Sequence, residues 1–396
     1  MLFRSVTHII TRLIVGGAQE NTVTSVLGLH RKPGARIRLI SGPTTGPEGS
    51  LEPLFDSTPG LLTIAPDLIR PVRPWRDWQA LKELSRILAV ERPDIVHTHS
   101  GKAGILGRLA AARAGVPIIV HTIHGPSFGR FQGPAANILF LAAERYAARV
   151  TTHFVVVADA MRDQYLAAGI GRPEMYTRVL SGFDLAPFLA ARNDLDLRHQ
   201  LGLDPSDIVI GKIARLTELK GHDDLFAIAP DLVKSNSRIR FLLVGDGPWG
   251  AKFKALALRM GLQNHFVFTG LVPPAQVPRY VGIMDILVHL SVREGLPRAL
   301  PQALAAGRPI VAYNCDGANE VCLPNQTGFL IERNDHSSLK ARLLQLAADP
   351  GLCRQFGAHG RELVRNRFSS QTMVDELHAL YLRLANRVSS VQPCLG

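Results

Sequence analysis

Cysteine is scarce in this 396-residue chain: Cys315, Cys322, Cys353 and Cys394 all fall in its last quarter, and no two stand in C-x-x-C spacing. That argues against a disulfide scaffold and a thiolate zinc site, and it predicts a reduced, cytoplasmic protein whose cysteines are small core or surface residues. Long hydrophobic runs are missing too. No apolar stretch approaches the roughly 18–20 residues of a membrane-spanning helix. The N-terminal run is interrupted by Arg4, His8 and Arg12, so it reads as a first β-strand rather than a signal-peptide core. There is no G-x-x-x-x-G-K-S/T loop, which disfavours an ATPase. Basic residues outnumber acidic ones, 45 Lys and Arg against 33 Asp and Glu, yet they never form a run of five. The surplus is spread over both halves, seven in residues 1–190 and five in 191–396. Nucleic-acid binders cluster such charge on one helix or stripe, so no nucleic-acid partner is expected.

What the chain does have is an ordinary globular balance, 46% hydrophobic and 20% charged, and enough length for two or three domains. Short β-branched runs such as DIVHTH, IIVHTI and FVVVA, then IVIGKIA, RFLLVG, DILVHL and PIVAY, alternate with helical stretches closed by Gly or Pro. Continuous apolar runs mark buried parallel strands, and their alternation with helices predicts an α/β protein with parallel sheets. The rhythm breaks once, in the polar stretch LAARNDLDLRHQLGLDPSD. The expected organisation is therefore a Rossmann-like domain over 1–188, a connection over 189–206 and a second Rossmann-like domain over 207–396. A last helix, at about 370–388, is a candidate to pack back toward the first domain. Two facing domains of this kind would share a cleft beyond the carboxyl ends of their strands.

Four stretches could carry chemistry. VGGAQENT puts Gly16 and Gly17 before a helix, where free amides suit an anion such as phosphate, although a structural turn explains a GG pair equally well. GKIARLTELKGHDDL sets Arg215 just after a strand and Lys220 shortly before a helix, so two cations could converge on a diphosphate; each alone reads more simply as a surface cation. In SVREGLPRALPQALAAGRPIVA, Glu294 follows a strand, Pro297 and Gly307 bracket a helix, and Gln302 lies eight positions on. Glu294 could bind sugar hydroxyls or merely complement the helix dipole. His97, His99, His121 and His124 gather near strand ends, with His97 and His99 on one face. Zinc binding is the sharp reading, but no carboxylate or thiolate stands near, and hydrogen bonding to a polar substrate is the simpler one, with His124 the better candidate for contact.

Two further patterns need weighing. VGDGPWG has the G-x-G-x-x-G spacing of a dinucleotide site, but no acidic residue follows about twenty positions on, which disfavours a dehydrogenase. Arg70, Arg73 and Arg76 surround Trp75 at the start of the pattern WQALKELSRIL. Basic and aromatic residues there suit an anionic membrane surface, and a solvated helix with its Trp packed inward suits the pattern equally.

Taken together and in order, GGAQ, HTHSGKAGILGRLAA, HTIHG, SGFD, RLTELKG, VGDGP and EGLPRALPQALAAGRPIVA resemble the retaining GT-B glycosyltransferases of family 4, especially those that assemble bacterial exopolysaccharide and cell-envelope glycans. The resemblance spans nearly the whole chain. It implies two facing Rossmann-like domains and transfer of a sugar from a nucleoside-diphosphate-sugar to a hydroxyl of a glycan, lipid-linked and at the inner membrane face. It implies that Gly16 and Gly17 approach the donor diphosphate, that Arg215 and Lys220 bind it and stabilise its departure, and that Glu294 orients the donor sugar beside the amides of Gly295, Leu296 and Pro297. His124 would touch the transferred sugar, with His99 and Lys102 toward the acceptor. No metal or other cofactor is implied. Gln302 departs from the pattern: the family commonly has a second glutamate there, hydrogen-bonded to the nucleotide ribose, and Gln keeps hydrogen-bonding capacity but not the charge. An epimerase of the same fold and a non-catalytic glycan- or nucleotide-binding protein are the rival expectations.

Overall fold

The computed structural model describes residues 3–391 apart from positions 47 and 130, so Cys394 lies outside the described residues. The chain divides into two compact units, Met1–Phe183 with Ser370–Gly396, and Asp184–Ser369.

The first unit is built on a parallel sheet of β1 (Ser5–Ile10), β2 (Arg36–Ser41), β3 (Leu62–Ile64), β4 (Ile95–His99), β5 (Ile118–Ile123), β6 (His153–Val156) and β7 (Tyr176–Arg178), in the order β3-β2-β1-β4-β5-β6-β7. Every residue of β1, β4 and β5 is buried, because helices cover both faces. On one face Val6, Ile10, Ile95 and Val120 meet α1 (Gly17–His30) and the C-terminal helix Ser370–Val391, through Met373, Leu377, Leu380 and Tyr381. On the other face Ile9, Val96 and Ile119 meet α2 (Pro74–Glu91) and α3 (Gly101–Arg113), through Ala80, Leu84, Leu88, Ala103 and Ala110.

The second unit repeats the plan with β8 (Ile208–Ile213), β9 (Ile239–Val244), β10 (Phe266–Phe268), β11 (Ile286–His289), β12 (Ile310–Tyr313) and β13 (Gly328–Ile331), in the order β10-β9-β8-β11-β12-β13. Each sheet has one point where the strand order reverses, between β1 and β4 and between β8 and β11. Loops on either side of such a point diverge beyond the strand ends and leave room for a ligand.

The division differs from the expected boundaries at both ends. Residues 186–200 form two short helices, Ala186–Leu189 and Leu195–Gln200, that are held by the second unit rather than spanning between domains. Arg198, 2% exposed, donates to the carbonyls of Asp207 and Ile283, each at 3.0 Å, and Arg361 donates to the Leu189 carbonyl at 2.6 Å. The C-terminal helix, expected within a 207–396 domain with a tendency to pack back, belongs to the first unit. Its Ser370 N–H donates to the Phe183 carbonyl at 3.0 Å, and Val374 packs where a Cβ on Gly28 of α1 would come within 2.4 Å. Without that helix the apolar face of α1 would lie open to water.

Candidate active site

In the second unit, the reversal point is flanked by the loop after β8, which carries Arg215 and the turn Glu218–Lys220, and by the loop after β11, which carries Glu294. The turn ends at Gly221 (φ 63°), where a Cβ would stand 2.0 Å from the Leu290 carbonyl oxygen; only glycine lets Lys220 come so close to β11. Lys220 Nζ and Glu294 Oε1 form an ion pair, each side chain 19% exposed. The Glu294 N–H donates to Asp316 Oδ2 at 2.7 Å, which holds the loop, and His289 Nε2 stands 3.5 Å from Glu294 Oε1, beyond a firm hydrogen bond. Burial alone would raise the Glu294 carboxyl, but the Lys220 ammonium and the nearby His289 outweigh it and hold the group well below the usual carboxylate range. Glu294 is thus a fixed anion at neutral pH.

Arg215 is exposed on the first of these loops. That loop is braced from behind by the glycines of VGDGPWG. A Cβ on Gly245 would meet the Ala214 oxygen at 2.3 Å and one on Gly247 the Leu216 oxygen at 2.6 Å, while Leu216 N–H donates to the Asp246 carbonyl at 3.0 Å. The G-x-G spacing therefore has a structural cause in this loop-to-loop packing.

The helix after Glu294 is Ala299–Ala305, starting two residues beyond Pro297 and stopping at Gly307 in the left-handed region (φ 72°). Of Gly295, Leu296 and Pro297 only the first two can donate an amide, since proline has no N–H; the expectation of three amides is corrected to two. Gln302 lies on this helix, half-buried, and no hydrogen bond joins its side chain to Glu294.

The first unit presents its own set at the β1/β4 reversal. Gly16 and Gly17 open α1, whose first turn has no side-chain cap. After β4, Ser100 has φ 66° and ψ 167°, a backbone region that only glycine occupies without strain, and such strain collects at functional sites. His99 Nδ1 and His124 Nε2 are 3.0 Å apart, so these two predicted residues are brought together. Lys102 is not with them: its ammonium pairs with Asp77 and donates to the Pro71 carbonyl at 2.5 Å, tying α3 to the start of α2. Burial lowers His124 to about 3, so its ring is neutral.

Residues 193–363 match the family model described as Glycosyl transferases group 1, and residues 16–179 match the one described as Glycosyl transferase 4-like domain. The chain is 31% identical over 322 residues to the UDP-Gal:alpha-D-GlcNAc-diphosphoundecaprenol alpha-1,3-galactosyltransferase of Escherichia coli, across 80% of this chain and 82% of that one. It belongs to the GT-B glycosyltransferases of family 4. The glycosyltransferase is also 27% identical over 311 residues to the putative glycosyltransferase EpsD of Bacillus subtilis, across 76% and 79% of the two chains. In fold it is similar to Anabaena HepE, whose structure holds UDP-glucose, with a TM-score of 0.79 at 20% identity over 98% of this chain and 99% of that one.

Sequence reasoning missed a charge beneath the glycosyltransferase's ion pair. Lys212 lies on β8, 1% exposed, and its Nζ has no hydrogen-bond partner among the described residues. Burial, reinforced by the Lys220 charge and opposed by Glu294 and Asp224, lowers its ammonium to about 7. A lysine inside the apolar run IVIGKIA was the available signal. The Arg70–Arg76 stretch also resolves: Trp75 and Trp78 are 67% and 43% exposed, with their rings stacked at 4.9 Å, so the tryptophans face outward rather than packing inward. Arg70, Arg73 and Arg76 are exposed beside them. Among the described residues no helix is long and apolar enough to cross a membrane, and Cys315, Cys322 and Cys353 are free thiols.

Proposed function

We propose that this glycosyltransferase moves a hexose, with retention, from a uridine-diphosphate sugar to a hydroxyl of a lipid-linked glycan at the inner membrane face. The observation that carries the reading is the Lys220–Glu294 pair at the β8/β11 reversal, with Arg215 on the same loop as Lys220. Arg215 and Lys220 bind the diphosphate and neutralise the charge that develops as it leaves, which removes the need for a metal. Glu294, ionised and held by Asp316, accepts hydrogen bonds from donor-sugar hydroxyls, with the Gly295 and Leu296 amides beside it. Gln302 bonds the ribose; Gly16 and Gly17 face the diphosphate; His124 touches the transferred sugar; on the acceptor side His99 acts through His124 rather than by contact, and Lys102, held by Asp77 and the Pro71 carbonyl, fixes the start of α3. The acceptor oxygen forms its bond to the anomeric carbon on the face from which the diphosphate departs, and its proton passes to that diphosphate. Positioning and electrostatics supply most of the rate.

The E. coli relative's action on a diphosphoundecaprenol-linked sugar supports a lipid-linked acceptor, and its UDP-Gal, with the UDP-glucose held by HepE, supports uridine in the donor. The exposed Trp75, Trp78 and Arg70, Arg73, Arg76 support contact with anionic lipid. A panel of UDP- and GDP-sugars tests the donor: at a concentration of 100 times Kd, the cognate one stabilises the native state by about 2.7 kcal/mol. With that donor and a diphosphoundecaprenyl-linked sugar, transfer in the presence of EDTA is expected. Sugar interconversion without any acceptor would replace this reading with an epimerase. Sedimentation with phosphatidylglycerol vesicles is expected for the wild type and reduced for the Arg70, Arg73 and Arg76 triple alanine variant; equal sedimentation removes the membrane contact.

A further inference from the structure

A line of buried imidazoles crosses the centre of the first sheet. β1 and β4 pair with His8 opposite His97, and β4 and β5 with His99 opposite Thr122, so these four side chains share the face covered by the C-terminal helix. His8, His97 and His99 are at most 1% exposed. Their nitrogens are consumed in one unbranched series of contacts. His124 Nε2 is 3.0 Å from His99 Nδ1, and His99 Nε2 is 2.9 Å from His8 Nδ1. His8 Nε2 is 3.4 Å from the Tyr381 hydroxyl, which is 2.5 Å from His97 Nδ1, and His97 Nε2 ends the series 2.6 Å from Thr122 Oγ1.

Proton counting leaves this chain only two states. Burial lowers all four histidines well below their ordinary value, so each ring carries one proton at neutral pH. A neutral imidazole that donates from one nitrogen must accept at the other. The Tyr381 oxygen could accept from both its imidazoles only by leaving its own proton unmet in a residue 0% exposed, so it donates to one and accepts from the other and every link points the same way. If the links point toward Thr122, every histidine is an Nε2–H tautomer, the outward Nδ1 of His124 is a bare acceptor, and the Thr122 proton is left over in a residue 3% exposed. If they point toward His124, Thr122 donates to His97, every histidine is an Nδ1–H tautomer, and the proton left over is on the half-buried ring of His124. The second state leaves no buried donor unmet, whereas in the first the Thr122 hydroxyl has lost its water without gaining an acceptor.

We propose that the Thr122–His97–Tyr381–His8–His99 chain holds His124 as an Nδ1–H donor, so that His124 gives a hydrogen bond to an oxygen of the sugar ligand and is not the base of the reaction. The ligand part rests on the glycosyltransferase reading of His124; the tautomer does not. Tyr381 and Thr122 are then positioning residues, acting on the ligand through three and four imidazoles respectively. The Nδ1–H tautomer is the less favoured form of a free neutral histidine, so the chain sets a state that the side chain would not choose in water.

Long-range ¹⁵N–¹H spectra of the full chain labelled in histidine read each tautomer without substrate, so the result is independent of whether the donor and acceptor have been identified correctly. The expected result is Nδ1–H at His124, His99, His8 and His97. Tyr381→Phe cuts the chain at its middle and is expected to return His124 to a mixture rich in Nε2–H. Thr122→Ser keeps the terminal hydroxyl and is expected to preserve Nδ1–H, whereas Thr122→Val loses it. An Nε2–H tautomer at His124 in the wild type overturns the proposal, as does an unchanged tautomer in folded Tyr381→Phe. One equivalent of zinc in the purified protein would also overturn it, because a metal at His8, His97 and His99, whose ligand atoms lie within 4.8 Å of one another, would take the same lone pairs.

Discussion

Acidification from pH 7 to pH 5, without ligand, is expected to destabilise the first unit by several kcal/mol. His8, His97, His99 and His121 are fully buried and His124 half-buried, and desolvation depresses all five, His8 and His124 to about 3. In the unfolded chain each returns to about 6.5. Between those values the unfolded state binds protons that the native state refuses, so stability is lost as pH falls through 6.5 and goes on falling toward 3. At pH 5 His8 and His124 each favour the unfolded chain by about 2 kcal/mol, and His97, His99 and His121 act in the same direction, against a typical domain stability of about 5–15 kcal/mol. Melting curves by circular dichroism at half-unit pH steps should show Tm dropping steeply below pH 6. A Tm that stays level from pH 7 to pH 5 would mean that the buried rings are already charged or that water reaches them.

Replacing Lys220 with alanine is expected to lower kcat/KM by about 10²–10³, the usual loss when one preorganised group that stabilises developing charge is removed. The Arg215→Ala, Lys220→Ala double variant should bring transfer to background while its circular dichroism spectrum stays native. The single variant carries a second signature. Without the Lys220 ammonium, burial pushes the Glu294 carboxyl up against the weaker opposition of the neighbouring His289 and the buried Lys212, so the carboxyl rises from its depressed wild-type position. Because an ionised Glu294 is what accepts the sugar hydroxyls, the activity of Lys220→Ala should fall away on the acid side at a higher pH than that of the wild type. Wild-type turnover in the double variant would sink the assignment of the leaving-group cations. An unshifted acid limb in Lys220→Ala would separate Glu294 from Lys220.

Much of the architecture was legible from local pattern. Runs such as IIVHTI and RFLLVG became buried parallel strands, Gly307 ended its helix, and the polar stretch after FDLAPF holds no strand and one short helix, Leu195–Gln200. Misreadings arose where a distant partner decides. The boundary moved because Arg198 and Arg361 bind the 186–200 segment to the second unit, and side-chain hydrogen bonds of that kind leave no periodic trace. The spacing of Gly245 and Gly247 imitates a nucleotide fingerprint, yet its cause is the backbone of residues 214–216, some thirty positions upstream.

The histidines divide the same way. From the period of a strand alone, His97 and His99 share a face, and His124 follows the next strand at a turn. Register then sets His8 of β1 opposite His97, and the return of the C-terminal helix brings the Tyr381 hydroxyl within 2.5 Å of a ring 284 positions earlier. The sequence by itself determined the two parallel α/β sheets, the order of the motifs and the kinds of side chain at each strand end, because those follow from period and local backbone preference. Only the tertiary structure decided which of them touch, what lies buried and unpaired beneath Lys220 and Glu294, and which way the imidazoles can point. Those depend on register and helix docking between segments that are far apart along the chain.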